Sequence, residues 1–489
     1  MNSQRFNIKY HWHFIVFILI SFFYLSSFYH RYTNEDEAII ASHSYFFNKL
    51  GYVKCDIYAG YGQNWEIRQY HYHKLFVLMG ALFMNIFGFN IYSFRSVSLL
   101  FAIIFFLYTW LYTLKFIKDR PPGKYLVILI SLLLFNSLFF DHSFMFRPEI
   151  MLMAIGFGSF YYLKVGLENQ KIQFIILAGI LAGLATFTHL NGLIYCCAGL
   201  FLLLWRKRYQ YAIVFSLFAG IFSLLYFFDI HSLEELNALY IQFITDPNIV
   251  DKPSMIISLL NEQMRFFWSP AECIFSALFF LSLWFGFKRI KAQHTDLLIY
   301  LIALVVSLGL LAHGKTTKYA LNYYPYMALV IVSFIFQLNE FRKPIRLIFF
   351  GLILIYIGIH GFFNIDLIRH RINIEANSTY IAGLLPEKNV KISAPSVFVF
   401  NQITNFTIRG EIAFWHHYAV FHRGVKETTK EYFSFAKEHG DKYVVIDKKT
   451  NALPYLVKEN FDRLNPGDTL YGFKLILKKE NRIFIFKDK

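Results

Sequence analysis

The sequence predicts an all-α polytopic membrane protein, with about eleven transmembrane helices plus interfacial helices, that carries a small C-terminal α/β domain. Of the 489 residues, 56% are hydrophobic and only 16% are charged, and 58 are Phe. This apolar content exceeds that of soluble domains. Long apolar blocks continue to about residue 364, and polar residues dominate from about residue 365. We therefore divide the chain into a transmembrane domain, 1–364, and a soluble domain, 365–489.

The apolar blocks define the predicted transmembrane helices. A helix needs about 20 residues to cross roughly 30 Å of hydrocarbon, and several blocks are nearer 16 residues. The run Leu75–Phe87 is short for a span and suits a helix that lies in the interface. The predicted spans are residues 12–29, 93–114, 125–140, 150–165, 173–188, 192–205, 209–228, 272–287, 297–312, 323–338 and 345–363.

Basic clusters predict the orientation of these spans. They lie at residues 5–9, 115–120, 206–208, 288–291 and 342–346. With a cytoplasmic amino terminus, every cluster falls on the cytoplasmic side, as the positive-inside bias requires. The net charge of +16 is then explained by the basic clusters that orient the spans, and we expect no nucleic-acid partner. The loops 30–92, 141–149, 229–271 and 313–322 and the soluble domain are predicted to lie outside the cytoplasm.

Short runs of β-forming residues predict a small α/β fold for residues 365–489. The last two strands flank residues 478–481 and predict a hairpin. Nothing in this part of the chain resembles a catalytic motif, so we expect an accessory cap over the membrane-embedded site. The predicted elements are strands Val390–Ser393, Lys442–Asp447, Lys474–Leu477 and Arg482–Phe486 and a helix over Thr428–Glu438.

Acidic residues cluster at the membrane boundary directly after the first predicted span. Asp36 and Glu37 stand there, and Arg147 and Glu149 precede the span that begins at residue 150. Charge at a bilayer boundary is costly to desolvate and gives no packing in return. Two carboxylates that converge on one cavity at the membrane boundary, with a guanidinium beside one of them, can activate a hydroxyl and orient a charged donor. The alternatives are a solvated acidic loop and a simple interfacial ion pair.

Basic residues on the outer side form a second group. Lys315 and Lys318, followed by Tyr319, are exceptions to the positive-inside bias and predict a site for a lipid phosphate or pyrophosphate. His73 and Lys74, at the start of the interfacial helix, are predicted to contribute in the same way. The alternative is that these lysines extend to anionic lipid head groups.

A polar break between two predicted spans provides a further candidate. His189 lies in the run Thr188–Gly192, and a helix-ending turn with a satisfied histidine is the alternative. The sequence has no CxxC, HExxH or glycine-rich phosphate loop, so it gives no support for zinc, P-loop or dinucleotide chemistry. The chain has four cysteines, and free thiols are the expectation, although Cys55 and Cys273 share the outer side.

These motifs together resemble the membrane-integral C-type glycosyltransferases, in particular the bacterial relatives of protein O-mannosyltransferases and of the lipid A aminoarabinose transferase. The resemblance covers most of residues 1–345. It rests on the order and sidedness of Asp36-Glu37-Ala38, Phe87-Gly88-Phe89-Asn90 with Arg95, Arg147-Pro148-Glu149, Gly183-Leu184-Ala185, Thr188-His189-Leu190-Asn191-Gly192, and Gly314-Lys315 with Tyr319 and Pro325.

The resemblance implies transfer of a sugar from a polyprenyl-phosphate donor to a cell-envelope acceptor, with inversion, at the outer face of a bacterial inner membrane. It implies that Asp36 is the general base, that Glu37 supports it, and that Glu149 orients the acceptor or a basic neighbour. The departing lipid phosphate would be stabilised by Lys315, Lys318, Arg147, His73 and His189. No nucleotide or obligatory metal is implied, although some relatives employ a divalent cation.

Two other classes are alternatives. A multispan lipid or polysaccharide transporter or flippase without transferase chemistry would show broken helices at mid-membrane and repeated halves, and neither is clear here. A sensory or scaffolding membrane protein would not need carboxylates and lysines on one face. The expected partners are therefore a lipid-linked sugar, membrane lipids and a glycolipid, polysaccharide or protein hydroxyl.

Overall fold

The computed structural model describes residues 8–29, 31–61, 64–118, 120–245, 254–312, 316–422, 427–451 and 453–489. Up to residue 384, the described chain is mostly helical, and the longest irregular segment lies between Leu50 and Lys74. The helices, numbered α1 to α17 in chain order, are Ile8–Ser26, Glu35–Leu50, Lys74–Phe87, Ile91–Phe116, Pro122–Phe135, Ser137–His142, Glu149–Asn169, Ile172–Thr188, Leu193–Trp205, Tyr209–Ser223, Leu233–Ile244, Met255–Leu260, Met264–Phe267, Pro270–Leu311, Tyr324–Ile335, Lys343–Arg369 and Ile374–Leu384.

The predicted polytopic helical fold is confirmed, and every predicted apolar block falls on a helix. Within the described residues, six helical stretches have the length and composition to cross a membrane, and five shorter apolar helices accompany them. Two predicted spans lie in α14, which is a single 42-residue element broken by non-helical backbone angles at His294. The predicted interfacial run is α3, with 14 residues.

Some predicted blocks are divided or shortened. The block 125–140 separates into α5 and α6 at Asn136, whose side-chain oxygen accepts hydrogen bonds from the backbone N–H groups of Leu138 and Phe139. This cap begins a new helix in the middle of an apolar run. The block 323–338 contains a helix of only 12 residues, α15.

Small residues allow α8 to approach α10 closely, and this packing positions the turn that follows α8. A Cβ atom built on Gly179 would lie 2.7 Å from the carbonyl oxygen of Phe215, and one on Gly183 would lie 2.6 Å from that of Ala219. Glycines four residues apart are a frequent solution for close helix contacts in membranes. The polar turn that carries His189 directly follows this contact.

The C-terminal part folds around a mixed six-stranded sheet, with strand order β2-β1-β3-β6-β5-β4. Strand β1 pairs in parallel with β2 and β3, whereas the β3–β6, β6–β5 and β5–β4 pairs are antiparallel. The elements are β1 Lys391–Ala394, β2 Thr407–Gly410, α18 Glu411–Phe421, α19 Thr429–Glu438, β3 Tyr443–Asp447, α20 Pro454–Lys458, β4 Thr469–Leu470, β5 Phe473–Lys479 and β6 Ile483–Asp488.

The predicted α/β character of this part is confirmed. All four predicted strands and the predicted helix are present, and β5 and β6 form the predicted hairpin. Glu480 and Asn481 both have positive φ, as a two-residue turn between twisted strands requires. Strands β2 and β4 and helices α17, α18 and α20 were not predicted.

A buried carboxylate fastens α17 to this sheet. Asp447, at the end of β3, is fully buried and accepts hydrogen bonds from Nε and Nη2 of Arg482 at 2.7 and 2.9 Å and from Nδ2 of Asn377 at 2.9 Å. Burial raises the pKa of Asp447, but the hydrogen bonds from Arg482, Asn377 and the Lys449 backbone outweigh it and hold the pKa below its usual value. The carboxylate therefore stabilises the fold above the pKa of the unfolded chain, and this contribution is lost as the pH falls.

We predict that Asp447→Asn destabilises residues 365–489 by about 3 kcal/mol, because it leaves a largely buried guanidinium without its partner. Limited proteolysis of the full chain in nanodiscs should begin at a lower temperature in the variant. Asp462→Asn is the control, since Asp462 forms a more exposed pair with Lys448 and its loss should leave the onset unchanged. Equal onsets for wild type and Asp447→Asn would contradict the assignment.

Candidate active site

The acids after the first helix occupy the first turn of α2. Asn34 caps this helix and accepts a hydrogen bond from the Asp36 N–H at 2.9 Å, while its own N–H donates to Glu37 Oε2 at 3.0 Å. This reciprocal arrangement satisfies backbone groups that the helix leaves unpaired, and carboxylates at this end also suit the helix dipole. The cap directs the two carboxylates differently: the Glu37 side chain is fully buried, and the Asp36 side chain is 44% exposed.

Glu37 binds protein groups on every side. Its oxygens accept hydrogen bonds from Nε and Nη2 of Arg95, each at 2.9 Å, and from the Phe146 N–H at 3.0 Å. These contacts join the start of α2 to α4 and to the loop before α7. Glu37 does not line the cavity described below. Any support that it gives to Asp36 must therefore act through the position of α2, and this role stays a prediction.

Arg147 lies between two carboxylates. Its Nη1 forms an ion pair with Asp36, and its Nη2 donates to Glu149 Oε1 at 2.9 Å. Arg147 is 5% exposed and Glu149 only 1%. Both acids were predicted to converge on one cavity. Asp36 lines the cavity, but Glu149 does not and instead pairs with Arg147, which does.

A cavity of about 480 Å³ opens beside this cluster. One face of α2 forms part of it, since Asp36, Ile39, Ile40 and His43 follow helical spacing. The other lining residues come from the chain before α3, the loop before α7, the turn after α8 with the start of α9, helix α11, the end of α14, the segment before α15 and helix α18: Tyr58, Trp65, Gln69, His71, Tyr72, His73, Arg147, His189, Leu190, Asn191, Leu193, Phe243, Leu311, Ala312, Thr316, Lys318, Tyr319 and His416.

Five predicted phosphate-site residues line this cavity together. They are Arg147, Lys318, Tyr319, His73 and His189. The rings of His73 and His189 stack with centroids 4.6 Å apart, and the Tyr319 hydroxyl lies 3.3 Å from His189 Nε2. His189 Nδ1 accepts a hydrogen bond from the Asn191 N–H at 2.9 Å, so Nε2 carries the proton in the neutral ring.

The two stacked histidines are uncharged at neutral pH. Burial lowers the pKa of His189 to about 3, and the nearby Lys318 and Arg147 act in the same direction. Burial, followed by the neighbouring His189, lowers the pKa of His73 well below its usual value. Lys318 and Arg147 are therefore the described residues that bring fixed positive charge to this cavity.

Two predicted phosphate ligands are not placed there by the structure. The Lys74 side chain is fully buried and forms an ion pair with Asp229, which also accepts a hydrogen bond from the Tyr72 hydroxyl at 2.7 Å. A phosphate contact by Lys74 would require this pair to break, so we do not include Lys74 among the proposed ligands. Lys315 lies outside the described residues, and its role stays a prediction.

Several lining residues were not predicted from the sequence. His43 could have been found by its spacing from Asp36, seven residues along the same helix face. Trp65 and Gln69 lie in an irregular segment, and His416 belongs to α18, a helix that the sequence did not predict. His416 brings the C-terminal part into contact with the cavity, and its ring lies 5.0 Å from that of Tyr58.

The described residues do not form a metal site. Among them, no group of three or more His, Cys, Asp or Glu side chains is arranged to hold a metal ion. The position between the two carboxylates is taken by Arg147. All four cysteines are free thiols, as expected.

Comparisons with known proteins agree with this architecture. Residues 75–230 match the family model described as dolichyl-phosphate-mannose-protein mannosyltransferase. The structure of ArnT from Cupriavidus metallidurans bound to undecaprenyl phosphate is similar over 97% of both chains, with a TM-score of 0.62 and 12% identity. The chain has the fold of a membrane-integral C-type glycosyltransferase.

Other solved structures extend the comparison. ArnT in the apo state gives the same TM-score, 0.62, over 98% of both chains at 12% identity. The archaeal oligosaccharyltransferase AglB from Archaeoglobus fulgidus, in complex with an inhibitory peptide and a dolichol-phosphate, is similar over 90% of this chain and 70% of its own, with a TM-score of 0.50 and 13% identity. No curated protein sequence matches the chain. The predicted resemblance to C-type glycosyltransferases is confirmed by the family model and the shared fold.

We predict that the buried Arg147–Glu149 pair contributes to the stability of the folded protein. Arg147→Met should lower the thermal unfolding midpoint in detergent markedly, since an unpaired buried carboxylate costs about 3–5 kcal/mol. The double variant Arg147→Met/Glu149→Gln should recover part of the loss, because its buried group is neutral.

Asp36→Asn is the control for this comparison, because its carboxylate is nearly half exposed and its removal should change the midpoint little. If the double variant unfolds at or below the midpoint of Arg147→Met, Glu149 does not depend on the guanidinium as described.

Proposed function

We propose that this protein is an inverting glycosyltransferase. It moves a sugar from a polyprenyl-phosphate donor to a hydroxyl of a glycolipid, polysaccharide or protein at the outer face of the membrane. One observation carries the proposal: the accessible carboxylate of Asp36 shares a cavity with Lys318 and Arg147. The similarity over nearly the whole chain to an ArnT structure that holds undecaprenyl phosphate supports the class of donor.

Asp36 acts as the general base. Its carboxylate takes the proton of the acceptor hydroxyl while that oxygen attacks the anomeric carbon from the side opposite the phosphate. The bond between the anomeric carbon and the phosphate oxygen breaks, and its electron pair leaves with the lipid phosphate. Attack from the opposite side inverts the configuration of the sugar. A positioned base of this kind contributes about 10²–10⁴-fold to the rate.

The departing phosphate is the main electrostatic demand of this step. Lys318 and Arg147 provide fixed positive charge in a largely buried cavity, where such groups are more effective than in water. Tyr319 and the neutral histidines His73 and His189 provide hydrogen-bonding groups rather than charge. We include Lys315 as a further phosphate ligand because it precedes Lys318 by three residues.

Glu149 and Glu37 act through other residues in this proposal. Glu149 fixes the guanidinium of Arg147, and Arg147 holds the Asp36 carboxylate in place. Glu37 fixes the first turn of α2 through Arg95. Both are positioning residues, since neither lines the cavity.

The orientation in the membrane is part of the proposal. Leu193, at the start of α9, lines the cavity, and the basic residues 206–208 follow the end of this 13-residue helix. A helix of this length places the two ends about 20 Å apart. The positive-inside bias assigns the basic end to the cytoplasm and therefore the cavity, with its soluble cap, to the outer side.

We predict that Asp36→Asn reduces transfer by at least about 100-fold, because an amide cannot accept the acceptor proton. Membranes of cells that lack the protein would be complemented with the wild type or the variant, and envelope glycolipids and glycoproteins compared by mass spectrometry. The variant should be as abundant as the wild type and should bind undecaprenyl phosphate equally well.

Asp56→Asn is the matched control, since this carboxylate follows α2 but pairs with Lys54 outside the cavity. Unchanged glycosylation in Asp36→Asn would reject the base assignment. A lipid transporter without transferase chemistry would form no glycosylated product itself.

The orientation predicts a labelling pattern for single-cysteine variants in a background without the four natural cysteines. Tyr32→Cys and Lys479→Cys should react with a membrane-impermeant maleimide added to intact spheroplasts, and Lys288→Cys should react only after lysis. All three positions are exposed, so accessibility does not limit the reaction. Labelling of Lys288→Cys from outside, or protection of Tyr32→Cys, would contradict the orientation.

A further inference from the structure

One wall of the cavity contains buried polar atoms that have no hydrogen-bond partner in the protein. They are Nδ1 and Nε2 of His43, Nε1 of Trp65 and Oε1 of Gln69, and the side chains of His43 and Gln69 lie close enough for Gln69 to act on the pKa of His43. Each of these side chains belongs to a residue that is only 4% exposed, and each residue lines the cavity. Burying a polar group without a hydrogen-bond partner costs about 1–3 kcal/mol of free energy. Three such residues on one wall therefore indicate that a ligand binds there.

Backbone hydrogen bonds hold these residues in position. The chain after α2 closes on itself, because the Gln69 N–H donates to the Val53 carbonyl and the Cys55 N–H donates to the Trp65 carbonyl, each at 2.8 Å. The Gln69 side-chain nitrogen donates to the His71 carbonyl at 2.9 Å. This bond orients the amide, so Oε1 is left as an acceptor toward the cavity.

The wall offers both donors and acceptors. Trp65 Nε1 donates, Gln69 Oε1 accepts, and a neutral His43 ring provides one of each. Burial lowers the pKa of His43 to about 3, which keeps the ring neutral. Aromatic rings surround these groups: the Trp65 and Tyr58 centroids lie 4.7 Å apart, and His43 and Tyr72 lie 6.2 Å apart.

Fixed charge is confined to another part of the cavity lining. The described lining residues with a fixed charge are Asp36, Arg147 and Lys318. Asp36 and Arg147 form an ion pair, and Lys318 is close enough to the stacked histidines to affect their pKa values. His43 lies two helical turns from Asp36, about 10 Å along α2. The wall therefore favours an uncharged ligand that both donates and accepts hydrogen bonds and has an apolar face.

We propose that the wall formed by His43, Trp65 and Gln69, with Tyr58 and His416 beside it, is a subsite for a neutral sugar ring. A pyranose meets all of these requirements, because its hydroxyls both donate and accept and its C–H face packs on aromatic rings. This inference rests on the proposed function and makes it more specific, since it excludes from this subsite sugars with a free ammonium group and uronic acids. The ring belongs either to the donor or to a saccharide acceptor.

The direct test is saturation-transfer NMR with the full chain in nanodiscs. The probes are the methyl glycosides of glucose, mannose and galactose, compared with glucosamine and glucuronate. At least one neutral glycoside should bind, and the two charged sugars should bind at least about 10-fold more weakly. This comparison uses the wild-type chain and does not depend on the folding of a variant.

Two variants identify the wall. Trp65→Phe retains the ring and removes the donor, and Gln69→Leu removes the acceptor, so each should weaken glycoside binding by about 10-fold. Trp12→Phe is the control, because Trp12 is 57% exposed and lies on α1 outside the cavity. Absence of binding by every neutral glycoside, equal binding of the charged sugars, or unchanged binding in both wall variants would overturn the proposal.

Turnover measurements separate the two sources of the sugar. If the wall binds the donor sugar, Gln69→Leu should slow hydrolysis of a lipid-linked neutral sugar in the absence of acceptor. If it binds the acceptor, hydrolysis should persist and the KM of the saccharide acceptor should rise.

The same preparations distinguish failure of this inference from failure of the proposed function. If undecaprenyl phosphate binds in a manner that depends on Lys318 but no glycoside binds, the inference alone is wrong. If a glycoside binds and undecaprenyl phosphate does not, the proposed function is wrong and the subsite remains.

Discussion

A single guanidinium, that of Arg147, determines the geometry of the candidate active site. On one side it binds the buried carboxylate of Glu149, and on the other it binds the accessible carboxylate of Asp36. Removing Glu149 from water is costly and is compensated only while Arg147 stays in place. The buried half of this cluster therefore makes the accessible half rigid, as the base role proposed for Asp36 requires.

Helix ends bring the other groups to the same place. The cap at Asn34 and the Glu37–Arg95 pair fix the start of α2, and the close contact between α8 and α10 fixes the turn that carries His189. The segment before α15 adds Lys318 and Tyr319, and α18 adds His416. The result is one cavity with a charged region, which we propose binds the phosphate, and an uncharged wall, which we propose binds a sugar.

The sequence was informative where structure follows local pattern. Apolar blocks predicted the helices, and two β-forming runs on either side of residues 478–481 predicted the β5–β6 hairpin. Asp36, Arg147, His73, His189, Lys318 and Tyr319 were chosen as charged or polar exceptions at the membrane boundary, and the structure brings them to one cavity. What the sequence did not reveal depends on contacts between distant segments. Lys74 resembles a free phosphate ligand until the fold places Asp229, which lies 155 residues away, against it. Likewise, α18 has no amphipathic signal of its own, so the contact of His416 with the cavity was not foreseen.

The most direct measurement of the central claim is a structure of the chain with undecaprenyl phosphate bound in nanodiscs. The account predicts phosphate oxygens within about 3 Å of Lys318 or Arg147, in the cavity that Asp36 lines. It also predicts open space for a sugar between that phosphate and the wall formed by His43, Trp65 and Gln69. A phosphate held elsewhere, with Asp36 separated from it by packed protein, would contradict the account.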